Sequence, residues 1–347
     1  MHKFSKSNKM LLNIVYFLVG LGLIIKGADW LTDGASSIAR RFHVSSLVIG
    51  LTIVAFGTSA PELVVSLISG IEGKSDIAIG NVVGSNIFNT LAICGITALI
   101  CPILCQRSTL HFDLPICVLA SLMLYVLASD SYLFGSSTNI ISRIDGVILL
   151  LMFSVFLYHS FRSGKSSNSS NGKVENEGSS SSSLSSESDS SSNEMSLFKS
   201  ILLFFIGLGC LIFGGEWFVD GASGIASTLG VSQSTIALTI VAAGTSFPEL
   251  VTSIVAARKG DTDMALGNVI GSNIFNIFMI LGVSSLIQPL ELGTVGPINL
   301  LVLIVSSLMM YMFGILGSRK RYITRSEGLS LTIMAICYYS YVVIVSG

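Results

Sequence analysis

The chain has 347 residues, of which 51% are hydrophobic and 11% charged, and its mean hydropathy is +0.78. That leaves too few charges to cover a water-soluble globule of this size, so the chain belongs in lipid. The formal net charge of -1 selects no partner, and neither nucleic acid nor a bound cofactor is expected.

A helix needs roughly 20 largely apolar residues to cross a bilayer. Ten segments qualify: 10–38, 44–71, 76–101, 113–129, 140–160, 197–226, 231–257, 263–289, 296–316 and 328–346. The first follows Lys3, Lys6 and Lys9 and so resembles a signal peptide, but no A-x-A site follows it. It is expected to stay as a helix. The six cysteines lie in or beside apolar spans without metal or disulfide spacing, apart from a loose pair at Cys101 and Cys105, and are read as packing residues.

Residues 20–89 align without a gap on 207–276, at an offset of 187, with 40 of 70 positions identical. The match runs through G-T-S-A-P-E-L-V (57–64) against G-T-S-F-P-E-L-V (244–251). It ends at G-N-V-V-G-S-N-I-F-N (80–89) against G-N-V-I-G-S-N-I-F-N (267–276). Each copy opens a run of five spans, and an odd number of crossings makes the second copy enter from the opposite side. The basic residues agree: 13 of the 19 fall on one face and 5 on the other, with Lys26 inside the first span. The expectation is an all-α integral membrane protein of ten transmembrane helices in two inverted five-helix repeats, 1–160 and 197–347, with broken helices in spans 2, 3, 7 and 8. The serine-rich segment 161–196 reads as a disordered cytoplasmic tether, which puts both termini on the outward or lumenal side.

A carboxylate at the centre of a membrane helix costs roughly 2.5–3.5 kcal/mol or more, and such residues are functional by default. Glu62 and Glu249 sit mid-span with no basic residue at their depth. Proline breaks a helix by freeing the carbonyl four residues back, here those of Gly57 (from Pro61) and Gly244 (from Pro248). Thr58 or Ser59, and Thr245 or Ser246, are placed to cap the half-helices that follow. Asn81, Ser85 and Asn89 share one helix face, as do Asn268, Ser272 and Asn276. Carboxylates, hydroxyls, amides and freed carbonyls together make an all-oxygen site of the kind that suits calcium, whereas zinc or copper would need histidine or cysteine. Gly80, Gly84, Gly267 and Gly271 are read as helix-packing residues. Asp29, Asp33, Glu216 and Asp220 are read as interfacial anchors beside Trp30 and Trp217.

The paired G-T-S-x-P-E and G-N-x-x-G-S-N-I-F-N motifs resemble the two alpha-repeats of the sodium/calcium exchanger family, among the calcium/cation antiporters. The resemblance implies alternating access, with the first and sixth helices sliding over a core and Na⁺ competing with Ca²⁺ for one central cluster. It implies that Glu62 and Glu249 bind both ions and that Thr58 and Thr245 complete the calcium site. Ser59, Ser246, Ser85 and Ser272 would help bind flanking sodium ions, and Asn89 and Asn276 the middle position. Potassium-dependent members carry aspartate where Asn276 stands, so exchange without K⁺ is expected. Ca²⁺/H⁺ exchange, K⁺-dependent exchange and a gated cation channel stay open as alternatives.

Overall fold

The computed structural model describes residues 2–129, 138–166, 195–230, 242–293 and 295–346. In chain order these form α1 (His2–Arg41), α2 (Ser46–Thr58), α3 (Ala60–Ile71), α4 (Ser75–Ile100), β1 (Ile103–Leu104), α5 (Thr109–Leu127), β2 (Ile140–Ile141) and α6 (Arg143–Ser166). There follow α7 (Leu197–Thr228), α8 (Ala242–Gly244), α9 (Phe247–Arg258), α10 (Thr262–Ile287), β3 (Leu290–Glu291), α11 (Pro297–Leu316), β4 (Tyr322–Ile323) and α12 (Arg325–Ser346).

Among the described residues eight helices are long and apolar enough to cross a membrane, and the bent pair α2–α3 makes a ninth. The expected seventh span lies partly outside the described residues and is represented by α8 and α9. Most of the expected tether lies outside them as well, and α6 runs past its expected end at 160 to Ser166.

The expected breaks divide into two kinds. The second span is broken, with α2 and α3 meeting at Ser59 at an angle of 49°. On the second repeat, α8 ends at Gly244 and α9 begins at Phe247. Spans 3 and 8 are not broken, which corrects the expectation. Each is one continuous helix carrying a π-helical turn, Phe88–Ile93 in α4 and Phe275–Ile280 in α10. The difference lies in proline: Pro61 and Pro248 stand in the first turns of α3 and α9, while α4 and α10 contain none. A π turn widens the helix and keeps its backbone hydrogen-bonded, which matters where no water can replace a lost bond.

The core is the pair α4 and α10. Of their most apolar stretches, 72% and 78% are buried, against 17% for α1. Peripheral helices instead expose Leu18, Leu151, Phe205, Phe213 and Ile336, side chains suited to lipid. Two short antiparallel ribbons tie the repeats together, with Ile103 opposite Ile323 and Ile140 opposite Glu291.

α1 and α7 run antiparallel in backbone contact along glycines spaced seven residues apart, Gly20, Gly27 and Gly34 against Gly214, Gly207 and the Ser200 turn. A Cβ added at Gly27 would lie 2.7 Å from the Gly207 carbonyl oxygen. Close approach over small residues drives helix association where no hydrophobic force separates helix from lipid. Gly267 packs the same way on α2, since a Cβ there would meet the Leu47 carbonyl oxygen at 2.7 Å. Gly80 and Gly84 have room for a methyl group among the described residues. The packing expectation therefore holds for the second repeat, while the segment facing the first repeat's glycines by symmetry, 231–241, lies outside the described residues.

Gly27→Leu should force α1 away from α7 at a cost of about 1–3 kcal/mol or more. A thermal-denaturation assay on detergent-purified protein checks this, with a fall of several degrees expected for Gly27→Leu and none for Gly22→Leu, where nothing lies within 4 Å.

Candidate functional site

The site forms where the two helix breaks meet between α4 and α10. Ser59 and Ser246 stand at the N-cap positions of α3 and α9, and Glu62 and Glu249 fall in the first turns. The glutamates are fully buried, both at 0% exposure. The serines were expected to cap their own helices, but neither makes a side-chain cap bond. Each donates across the repeat boundary instead: Ser59 Oγ to Glu249 Oε1 at 3.0 Å and Ser246 Oγ to Glu62 Oε1 at 3.0 Å. A cap bond would use the hydroxyl oxygen as acceptor, whereas here the hydroxyl proton is given to a carboxyl oxygen of the other repeat. Thr58 also leaves the cap, bonding to the carbonyls of Val54 and Ala55 and lying 3.2 Å from Asn268 Oδ1.

Beneath each glutamate an asparagine holds the half-helix. Asn81 Nδ2 donates to the Glu62 carbonyl at 3.2 Å and to Ser66 Oγ at 3.0 Å. Asn268 Nδ2 does the same for the Glu249 carbonyl at 3.3 Å and Ser253 Oγ at 3.0 Å. These asparagines fix the position of the acids rather than pointing their amides at them. Ser272 Oγ lies 3.5 Å from Glu249 Oε1.

What remains is a set of buried atoms with no hydrogen-bond partner among the described residues, including Glu62 Oε2, Glu249 Oε2, Ser85 Oγ, Thr245 Oγ1, Thr252 Oγ1, Asn273 Oδ1, Asn276 Oδ1 and both polar atoms of Asn89. All but one are oxygens. Buried polar groups are ordinarily satisfied, and such a concentration marks a place for a ligand. The ion pairs among the described residues are Lys26 with Asp29, Lys74 with Glu72, and Lys259 with Asp29 and Asp33. None of them involves Glu62 or Glu249. Lys26, the basic residue inside the first span, lies 3.9 Å from Asp29.

The structure brings together Thr58, Ser59, Glu62, Thr245, Ser246, Glu249 and Ser272, and puts Ser85, Asn89 and Asn276 on the adjoining faces of α4 and α10. Gly244 ends α8, and Gly57 is the next-to-last residue of α2. Sequence reading passed over Thr252, one turn beyond Glu249, whose counterpart is Val65. It also passed over Ser66, Ser253, Asn86 and Asn273, although these recur at the 187-residue offset and that recurrence was the available signal.

The two sides of the site differ. A cavity of about 440 Å³ reaches the breaks past Glu216 and Asp220 of α7 and is lined by Pro61, Thr245 and Pro248. On α1 the equivalent acids are instead paired: Lys259 Nζ bonds Asp29 at 2.7 Å and Asp33 at 2.9 Å, and Ser36 donates to Asp261 at 3.2 Å. Asp29 and Asp33 thus clamp α1 to the end of α9, a correction to their reading as interfacial anchors alone. The residue matching Lys259 in the first repeat is Glu72, which could only repel Glu216 and Asp220.

The family model described as "Sodium/calcium exchanger protein" matches residues 12–162 and 199–345. The chain belongs to the sodium/calcium exchanger family. Within that family it is 36% identical to the sodium/calcium exchanger MaX1 of Methanosarcina acetivorans, over 81% of this chain and 85% of that one. It is 35% identical to the inner membrane protein YrbG of Escherichia coli, over 82% of each. The sodium-calcium exchanger NCX_Mj, in crystals soaked with Na⁺ and Sr²⁺, superposes with a TM-score of 0.76 at 35% identity, covering 94% of this chain and 98% of that one. The protein is a multi-pass membrane transporter of the exchanger family and not an enzyme.

Lys259→Glu would copy the first repeat's charge and turn the clamp repulsive. Partly exposed pairs are worth about 1 kcal/mol or less each, so global stability should hardly change while α1 loosens locally. A cysteine at position 36 should then react several-fold faster with a water-soluble maleimide.

Proposed function

We propose that this exchanger carries Ca²⁺ in one direction and Na⁺ in the other by alternating access, using Glu62 and Glu249 as a shared charged centre. One observation carries the reading. Two buried glutamates from opposite repeats, held by each other's serines and by no basic side chain among the described residues, present unpartnered oxygens to a common set of neutral oxygen donors. Mobile cations supply the missing positive charge.

The ligand set for calcium is the two carboxylates with Thr58, Thr245 and the chain around Gly57 and Gly244. Ser59, Ser246, Ser85 and Ser272 serve flanking sodium ions, and Asn89 and Asn276 the middle position. Six to eight oxygens at about 2.3–2.6 Å suit Ca²⁺. Two carboxylates balance one Ca²⁺ or two Na⁺, and a third Na⁺ leaves one net charge to move, so exchange is electrogenic. Asn276 in place of an aspartate withholds one charge, so transport proceeds without K⁺.

Ten spans in two inverted repeats, 1–160 and 197–347, complete this reading, with 161–196 as a disordered cytoplasmic tether and both termini outward or lumenal. The antiparallel course of α1 and α7, the first helices of the two repeats, supports it, as does the bias of basic residues to one face. The 440 Å³ cavity beside α7 is the open access route, and the clamp on α1 closes the opposite one. Broken helices between inverted repeats favour a carrier over a channel.

The test is calcium uptake into proteoliposomes under an outward Na⁺ gradient. Uptake should require the gradient, and Glu62→Gln and Glu249→Gln should each lower it on the order of 10- to 100-fold, the worth of a charge-assisted contact. Full activity in either variant would remove the carboxylate from the site, and uptake at channel rates without trans Na⁺ would reject exchange. Uptake should be the same with and without K⁺, and a strict K⁺ requirement would reverse the assignment of Asn276.

A further inference from the structure

The repeated motif G-N-V-x-G-S-N-I-F-N contains two asparagines, Asn86 and Asn273, that the cation set does not use. They make a buried network between α4 and α10. Asn86 Nδ2 donates to the Asn273 carbonyl at 3.1 Å, and Asn276 Nδ2 donates to Asn86 Oδ1 at 2.9 Å. Thr90 Oγ1 donates to the Asn86 carbonyl at 2.8 Å and accepts from Asn273 Nδ2 at 2.8 Å; Asn273 Nδ2 also lies 3.8 Å from Cys117 Sγ.

The polarity of this chain of bonds follows from elementary donor rules. A backbone carbonyl only accepts, so the end of Asn86 that faces the Asn273 carbonyl must be the NH₂. Its oxygen is then turned toward residue 276, and only a donor satisfies it there. Asn276 must therefore present its own NH₂ to Asn86, which leaves Asn276 Oδ1 directed elsewhere, buried and without a protein partner. The carbonyl at one end of the chain thus decides each orientation after it.

The matching residue in the first repeat is Asn89, and both its polar atoms are unpartnered. Its would-be holder, Asn273 Oδ1, is likewise buried and without a partner, and Thr90 in α4 corresponds to Ile277 in α10. The Thr90 hydroxyl takes up the NH₂ of Asn273. Asn86 meets no hydroxyl at Ile277 and gives its NH₂ directly to backbone; its oxygen accepts from Asn276, whereas the oxygen of Asn273 receives nothing from Asn89. A nearly symmetric motif thus yields an asymmetric network.

We infer that Asn86 is a positioning residue that presets the Asn276 carbonyl oxygen as a neutral ligand for the transported cation, while Asn89 is left unset. The inference rests on the exchange reading above. It makes the two halves of the cluster unequal: one amide is held before an ion arrives, and the other must turn to meet it. Preorganisation lowers the ordering cost of binding.

The experiment measures apparent KM and Vmax for calcium, together with melting temperature, for Asn86→Leu, which removes the acceptor, and Asn86→Ser, which retains a donor for the Asn273 carbonyl but is too short to reach Asn276. Both should raise KM roughly 3- to 10-fold with Vmax within about twofold. Thr90→Val, which removes a network bond on the other side, should lower the melting temperature and leave KM unchanged. In the Asn86→Leu background Asn276→Leu should add little further change in KM, whereas Asn89→Leu should act additively. An unchanged KM in the Asn86 variants, an equal KM rise in Thr90→Val, or additivity between positions 86 and 276 would overturn the assignment. If the unsubstituted protein takes up no calcium against Na⁺, the exchange reading fails on its own. Stabilisation of the purified protein by added Ca²⁺, which needs no turnover, then decides Asn86: a rise in the calcium concentration needed in Asn86→Leu but not Thr90→Val supports the role, and equal values reject it.

Discussion

The structure is arranged around two carboxyl side chains kept where water does not reach them. Neither Glu62 nor Glu249 has a basic partner among the described residues, and each has one carboxylate oxygen bonded by a serine from the other repeat while its second oxygen has no partner. An unpaired buried charge is costly enough to unfold ordinary proteins. Here the surroundings are built to hold the acids still. Proline stops the backbone beside them, and an asparagine from the neighbouring helix takes up the carbonyl of each glutamate.

The rest of the architecture serves that arrangement by moving polar backbone out of reach of lipid. α4 and α10, which carry the amide stripes, are the most buried helices and keep their hydrogen bonding through a π turn. The helices outside them expose leucine, isoleucine and phenylalanine, so the apolar surface faces lipid while the polar groups line the interior. α1 and α7 meet backbone to backbone along their glycines, with Phe17 stacked on Phe218 and Ser200 bonded to Ser37 beside that contact.

The two repeats are close copies, yet function depends on where they differ. Lys259 against Glu72 determines which pair of helix acids is clamped and which pair lines an open cavity. Thr90 against Ile277 determines whether the NH₂ of the motif's middle asparagine meets a hydroxyl or a backbone carbonyl. The first lies within the 70-residue alignment and the second one position beyond its end. Each becomes meaningful only when the partner across the repeat boundary is known.

Much was legible in the sequence, because the terms that govern it are local or nearly so. Hydropathy over about 20 residues defined the spans, the constant 187-residue offset defined the repeat, and an acid in an apolar run flanked by proline identified Glu62 and Glu249. What only the tertiary structure decided is the destination of each polar proton. Ser59 and Ser246 have the right spacing to cap their own helices, and their bonds to the opposite glutamates depend on a partner 190 or 184 residues away in the chain. The continuity of α4 and α10, the clamp at Lys259 and the orientation of Asn276 are of the same kind. A hydroxyl or amide has a small, fixed number of donors, and which acceptor receives them is a matter of three-dimensional proximity that no local pattern encodes.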